Sequence, residues 1–352
     1  MTTTSGDLAT KMPASLYTQQ RFLFMTLDPV HIGTGGYRLG RVDMTIAREP
    51  GTNLPKIPGT SLAGATRSYA AMRYNKPEAA GQHKNFKGDR KKCPIIYTFG
   101  TATGTEGDQT QSSGINQAGT VSIGDAQILF FPVNSMIGPV WVSTVDTVKE
   151  AWGKNCLTLP SKPTNEEVVT SADWDKELNL GWLMFKAKKE LQINPHGWES
   201  EGEDSAILWS AIKDRIVLVT DRLFSQIVNS NLEVRTSVSI DPKTGAAAQG
   251  ALFTYEAIPR ATWLWCDVVE DDYRKNGADS YPFPVTRQYN SQSGVENKGE
   301  EFPEGKEWNR PLDVVKAGMG LIKYLGVGGM GTRGFGRMSC ITDWDVNDGG
   351  VQ

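Results

Sequence analysis

Residues 31 to 49, HIGTGGYRLGRVDMTIARE, place one aspartate, Asp43, among His31, Arg41 and Arg48, just after a turn containing Gly33, Gly35 and Gly36. That mixture suits chemistry at a phosphodiester. RNA carries its own nucleophile, so a cleaving site has only to align a 2'-hydroxyl with the adjacent phosphate and offset the developing charge. Asp43 could act as a base, or hold Mg2+ or a similar divalent cation through one carboxylate oxygen. An aspartate with an ordinary pKa near ~4 is a weak base, which favours cation or geometric assistance over proton abstraction. His31 could shuttle a proton, Arg41 could offset charge, and Glu256 is a further carboxylate that could support the chemistry. The bland readings compete directly: an exposed aspartate beside arginines is usually a solvated ion pair, and a lone histidine at a strand end is usually structural.

A second group of residues suits phosphate binding without chemistry. IPGTSLAGATR supplies Thr60, Ser61 and Gly64 at the expected start of a helix, where backbone amides and Arg67 could hold a phosphate. Near the end of the chain, GVGGMGTRGFGR contains a literal GxGxxG from Gly329 through Gly331 to Gly334. A dinucleotide site needs a strand before that motif, a helix after it and an acidic residue about 20 positions on. Here a helix pattern precedes it and the chain ends 16 residues after Gly336, so the Rossmann reading is rejected. The kinase glycine-loop reading fails for want of a downstream catalytic region. What survives is a loop whose backbone can approach a polyanion closely, flanked by Arg333 and Arg337.

The elements that must position these residues read as follows. RFLFMTLDPV, residues 21 to 30, is a strand, and VDMTIARE, 42 to 49, alternates so that Val42, Met44 and Ile46 face a core while Asp43 faces out. A helix follows, capped by Thr60 or Ser61, with Leu62, Ala65, Tyr69 and Met72 on its inner face. Residues 75 to 118 are polar and glycine-rich, an insertion over the fold. Strands resume at TVSIGDAQILFFPV, a helical region is expected over 145 to 212, and RIVLVT is a buried strand. LEVRTSVSIDPKTGAAAQGALFTYEAIP, 232 to 259, reads as a long hairpin around an Asp-Pro-Lys-Thr-Gly turn, reaching away from its own core. Residues 267 to 311 form another charged excursion, and LDVVKAGMGLIKYLG is a helix packed through Leu312, Val315, Met319 and Ile322.

Composition bounds the class. The 352 residues, 39% hydrophobic, can bury a substantial core. No apolar run is long enough to span a bilayer, and the first twenty residues lack the layout of a secretory signal, so no membrane association and a cytoplasmic location are expected. Cys93, Cys156, Cys266 and Cys340 form no CxxC pair, which argues against a disulfide framework or a cysteine zinc site. The net charge of -3 hides an asymmetry: residues 1 to 92 hold 14 Lys or Arg against 6 Asp or Glu, and the remainder 23 against 34. The basic end is the candidate polyanion surface.

Several of these stretches, in order, resemble one family. PVHIGTG…LGRVDMTIARE, LPKIPGTSLAGATR, VSIGDAQILFFPVNSMIGPVWVST, GALFTYEAIP and GVGGMGTRGFGR are similar to the RAMP superfamily, and within it to the repeated backbone subunit of Cmr-type (type III-B) CRISPR effector complexes. The resemblance implies an α+β fold with a ferredoxin-like, RRM-like core, large insertions and a protruding hairpin thumb that crosses a guide RNA. It implies one domain over residues 20 to 352 after a mobile tail, 1 to 19, with insertions at about 75–118, 145–212 and 267–311. The implied partners are crRNA, complementary target RNA, copies of the same chain and other type III effector subunits. The loop aspartate that serves target cleavage in the family falls on Asp43. The helix start and glycine loop of the family contact guide RNA, although Ala63 stands where that pattern usually has lysine. Two other readings stay open: a purely structural RNA-binding subunit, and a stand-alone RAMP endoribonuclease that processes guide precursor. The absence of a clustered His, Tyr and Lys set tells against the second.

Overall fold

In a computed structural model of the protein, the structure describes residues 17–35, 42–81, 86, 93–101, 118–174, 176–195, 203–247, 252–274, 283 and 308–346. Its strands are β1 (Thr18–Thr26), β2 (Lys56–Ile57), β3 (Val121–Ile123), β4 (Ala126–Ser135), β5 (Gly138–Thr144), β6 (Leu157–Thr158), β7 (Glu167–Thr170), β8 (Glu177–Leu180), β9 (Leu183–Lys189), β10 (Gln192–Ile193), β11 (Ile216–Val219), β12 (Glu233–Ser237), β13 (Phe253–Ala257), β14 (Trp263–Glu270) and β15 (Met338–Asp345). Its α-helices are α1 (Gly59–Arg73), α2 (Pro94–Phe99), α3 (Val145–Trp152), α4 (Glu203–Ile212), α5 (Asp221–Ser230) and α6 (Pro311–Leu325).

A large mixed sheet runs in the order β15-β1-β14-β4-β5-β11-β7-β9-β8, with β2 beside β4 and β3 beside β14. The pairs β5–β11 and β7–β9 are parallel, and the others are antiparallel. Strand β1 shows why both faces of this sheet are covered. Phe22 and Phe24 join a core with Leu62 of α1 and Leu312, Val315, Met319 and Ile322 of α6. Leu23 and Met25 point the other way, into a core with Val148, Ala151 and Trp152 of α3 and Ile212 of α4. A run apolar at every position is what a strand buried on both faces requires. The edges of β1 are set by charge as well as by ladder bonds. Arg21 sits opposite Asp267 on β14, bonds its carboxylate at 2.7 Å, and lies 4.2 Å over the Trp265 ring.

Two helices of the first core meet backbone to backbone. Gly318 of α6 is buried, and a Cβ there would collide with the Thr66 carbonyl oxygen of α1. This close crossing selects the inner face of α1. Leu62, Thr66, Ala70 and Ala71 are buried, and Ala65 and Tyr69 pack partly buried. Met72, expected inside, is 52% exposed, because a face built on residues 62, 66 and 70 turns position 72 outward.

The sequence expectations need four corrections here. Helix α1 is not capped by Thr60 or Ser61. Its N-cap is Pro58, and the Gly59 N–H donates to Asp125 Oδ1 at 2.7 Å. Residues 145 to 212 are not a helical region; between α3 and α4 the chain forms β6 to β10, and β7, β8 and β9 extend the main sheet. The polar stretch 75 to 118 contains α2, whose Ile95, Ile96 and Tyr97 are buried with Cys93. Finally, residues 42 to 49 make only single bridges, Met44 to Tyr255, Ile46 to Gly33 and Arg48 to Pro55, not a ladder strand. The side-chain alternation survives only in part: Val42 and Ile46 are buried, but Met44 is half-buried like Asp43, and Ala47 packs against the core.

Gly318→Ala tests the crossing of α1 and α6. Alanine should gain about 1 kcal/mol of helix propensity, but overpacking a backbone contact costs about 1–3 kcal/mol. The expected result is a lower denaturant midpoint. A more stable variant would mean that the two helices can separate without loss.

Candidate nucleic-acid interface

The segment from Val42 to Arg48 is carried by the hairpin strand β13. Glu256 on that strand is 7% exposed, and its carboxylate accepts the Ile46 N–H at 2.9 Å and two bonds from the Arg48 guanidinium at 2.6 and 2.9 Å. Arg48 also donates to Asn229 Oδ1 and the Ile46 carbonyl. Both residues were expected at the ligand. Instead a desolvated ion pair occupies them, because a buried carboxylate has to be matched by donors.

One register position further out, Asp43 meets Thr254. Its Oδ2 accepts the Thr254 N–H at 2.7 Å and the Thr254 hydroxyl at 2.9 Å. Those bonds, the backbone one foremost, hold the Asp43 carboxyl below its ordinary range. A carboxylate so stabilised is a poorer proton acceptor still, so the geometry favours charge and positioning over general-base chemistry. Oδ1 accepts no hydrogen bond among the described residues. That oxygen is the one protein ligand Asp43 could offer a divalent cation. The described residues contain no group of three or more His, Cys, Asp or Glu able to hold a metal. The donor set therefore fits a cation bound chiefly by water and phosphate oxygens. Thr254 binds the ionised form, so this anchor is complete above pH ~4 and fades as acid takes Asp43 through its lowered folded pKa.

His31 lies behind this surface. It is 5% exposed, its Nδ1 is 2.7 Å from the Glu256 carbonyl oxygen, and its ring packs edge-on to Tyr255. A buried ring committed to a backbone carbonyl supports two loops, since a Cβ on Gly33 would lie 3.2 Å from His31 Nε2 and the Gly329 N–H donates to the His31 carbonyl at 3.0 Å. The same tie continues along the glycine loop, where Gly336 N–H donates to the Pro29 carbonyl at 2.9 Å. Gly328 has φ +87°, and a Cβ there would strike Ile32 and the His31 backbone. Close backbone approach therefore explains the glycines at the loop's root, while Gly331 and Gly334 have open space beside them. Gly33 and Gly35 are exposed, and Gly36 and Arg41 lie outside the described residues.

Loop, hairpin and segment 42–48 thus come together at one end of the sheet. Tyr255, Ala257 and Phe335 form a small core there, packed by Met44, Phe253 and Met330. Arginines lie on its aromatic faces: Arg333 is 5.4 Å over Phe253, and Arg235 is 4.8 Å over Phe335. Arg337 is exposed and binds Asp28 at 2.5 and 3.0 Å. Arginines interleaved with aromatic rings suit a single-stranded nucleic acid. Sequence reading missed Thr254, Arg235 and Phe253, which only the β12–β13 register puts together, and Asp28, which the chain's approach to Arg337 brings in.

The first turns of α1 are a different case. Thr60 and Gly64 are exposed and Ser61 partly so, but the Asp125 carboxylate already takes the Gly59 amide and is itself held by Lys56 at 2.5 Å. Arg67, expected at a phosphate, turns inward and donates to the Ala79 and Gly100 carbonyls at 2.9 to 3.2 Å. Burial lowers its pKa. As for the hairpin, its base is buried through Tyr255, Glu256 and Ala257, contrary to a hairpin wholly outside its core. Val234, Val238 and Ile240 stay exposed.

Two measurements separate structural from ligand-facing charges. Glu256→Ala leaves the partly buried Arg48 guanidinium without its carboxylate and should cost about 3 kcal/mol in denaturant unfolding; an unchanged midpoint would mean that water reaches Arg48 freely. Arg67→Ala should lower the melting temperature yet leave the slope of log RNA affinity against log salt unchanged. A slope flatter by about 0.7 would return Arg67 to the RNA surface.

The chain is similar to known proteins in sequence and in fold. The chain is 28% identical over 258 residues to the CRISPR system Cmr endoribonuclease Cmr4 of Pyrococcus furiosus, covering 68% of this chain and 77% of that protein. Its fold is similar to a chain of the type III-B Cmr-beta complex bound to cognate target RNA, with a TM-score of 0.55 at 13% identity, covering 94% of this chain and 98% of that one. It is also similar to oligomeric Cmr4 from Pyrococcus furiosus, with a TM-score of 0.50 at 21% identity over 94% and 100% of the two chains. The family model of the RAMP superfamily matches residues 23–339, from within β1 to the start of β15 and including both glycine loops, and the chain belongs to that superfamily.

Proposed function

We propose that this chain is a repeated backbone subunit of a type III-B CRISPR ribonucleoprotein, which binds crRNA and cleaves complementary target RNA at Asp43. The observation that carries the proposal is the convergence of Asp43, the hairpin and the glycine loop on one arginine-lined surface. The 28% identical relative, named as an endoribonuclease of the Cmr system, supports the same reading. The partners are then the guide, the target, further copies of this chain and other effector subunits, and the working compartment is the cytoplasm. Among the described residues no helix is long and apolar enough to cross a membrane.

The strand order gives the scaffold for this role. Strands β15-β1-β14-β4, with α1 and α6 packed against one face, follow the order of a ferredoxin-like split βαβ unit. In the proposal that unit is the palm, and β12–β13 is the thumb that crosses the RNA. Asp43 Oδ1 supplies charge beside the scissile phosphate, where a Mg2+ or similar cation carried by the RNA would offset charge on the reacting oxygens. The chain's own part is to fix that oxygen through Thr254 and to exclude the carboxylate from proton transfer.

A second reading has its own observation. Because Thr254 spends both of its donors on Asp43, the aspartate could serve only to hold the hairpin, as in a non-catalytic RNA-binding subunit.

Asp43→Asn separates the two, since the amide oxygen can still accept both Thr254 bonds while the charge is gone. In complexes assembled with guide and given matched RNA plus Mg2+, cleavage should fall by about 10² to 10⁴, with guide binding at least as tight as wild type. Cleavage at the wild-type rate would favour the non-catalytic subunit, and lost guide binding would show that the charge maintains the loop.

A further inference from the structure

The turn between β13 and β14 carries an arginine with no employment in the fold. Arg260 is exposed, and it makes no hydrogen bond or ion pair with the described residues. The backbone that presents it is unusually constrained. Ala261 has φ +65°, a left-handed conformation rare for a residue with a side chain. That conformation is fixed from several sides: Ala261 N–H donates to the Thr26 carbonyl at 2.9 Å, Trp141 Nε1 donates to the Ala261 carbonyl at 2.9 Å, and the Thr26 and Thr262 hydroxyls both donate to the Pro259 carbonyl at 2.8 Å. A turn held by so many bonds fixes the backbone from which the preceding side chain, Arg260, leaves.

The turn lies beside the end of β1, with Asp28 two residues beyond Thr26. The Leu27 and Asp28 amides both donate to the Arg337 carbonyl, so the end of β1, the start of β15 and the 259–262 turn form one corner. Asp28 binds Arg337, and Arg260 and Arg235 both lie near enough to act on its charge. Three arginines therefore act on one aspartate, Arg337 by direct contact, and Glu233 answers only Arg235. The corner keeps a net positive charge. Asp28 gives it a shape, because a carboxylate gripped by both ends of the Arg337 fork locks that side chain in place.

The corner also continues the surface already described. From Arg333 the contacts run through Phe253, Tyr255 and Phe335, with ring centres 5.9 and 5.5 Å apart, to Arg235, whose charge acts on Asp28. We infer that Arg260, with Arg235 and Arg337 around Asp28, is a phosphodiester-binding corner that holds the RNA backbone where it leaves the glycine loop and hairpin. The inference rests on the RNA-binding reading above and names the residue that extends it. Arg260 stands on a fixed turn and is unpaired among the described residues, as a side chain reserved for an external anion should be.

The test uses the full chain, a labelled oligouridylate and a salt titration. Arg260→Ala should lower the slope of log affinity against log salt by about 0.7 at unchanged melting temperature. Arg260→Lys should restore the slope, since a point charge still neutralises one phosphate. Asp28→Asn should tighten binding by removing a negative charge from the corner. If wild type shows a salt-dependent slope and Arg260→Ala keeps it whole, the corner is overturned and RNA binding through the rest of the surface stands. If wild type binds oligouridylate without salt dependence, or not at all, both fall. A melting temperature lowered by Arg260→Ala with the slope intact would make the corner an ion-pair network of the fold alone and would overturn it.

Discussion

The interface depends on one carboxylate that has almost no water. Glu256 sits on a strand of a two-stranded sheet outside the main sheet, and its charge has to be answered by donors brought from elsewhere. Arg48 and the Ile46 amide answer it. In doing so they pull residues 42 to 48 onto the hairpin without a regular ladder. Everything downstream follows from that placement: Met44 pairs with Tyr255, Asp43 falls opposite Thr254, and the loop before them closes over His31. A purely apolar contact would not fix the register so narrowly, because hydrophobic contacts have no direction and ion-pair forks do.

The same logic sorts the basic residues. Arg21, Arg48 and Arg67 look alike in the sequence to Arg235, Arg260 and Arg333, yet the first three spend their donors on internal carboxylates and carbonyls. The last three keep their charge at the surface. What separates the groups is the presence of a buried or half-buried acceptor within reach, such as Glu256, Asp267 or the carbonyl ends at Ala79 and Gly100. A local excess of positive charge cannot distinguish a fastener from a binding group.

Much of the architecture could nevertheless be read from the chain. The doubly buried strands RFLF and IVLV, the alternation of Val42 and Ile46, the helix at 311 to 325 and the hairpin around 241 to 245 all follow from periodicity and turn residues. The failures have a common cause. Short strands such as β7, β8 and β9 are stabilised by partners far away in the chain, so their propensity carries little signal. The cap on α1 comes from Asp125, 66 residues away from Gly59, where no local cap rule looks. The roles of Glu256 and Thr254 depend on pairing across more than 200 positions, which one sequence does not display.

Strand β1 also governs when the molecule can form. Its neighbours are β14 and β15, so Phe22 meets Cys266 on one side and Asp343 on the other. During synthesis at roughly 5–20 residues per second, this strand waits on the order of tens of seconds before either neighbour leaves the ribosome. Throughout that interval a segment apolar on both faces has unpaired edges, the form in which nascent chains aggregate. Nascent-chain protection by chaperones, and a supply of full-length chain well below aggregating concentration, thus become part of what it takes to make this protein.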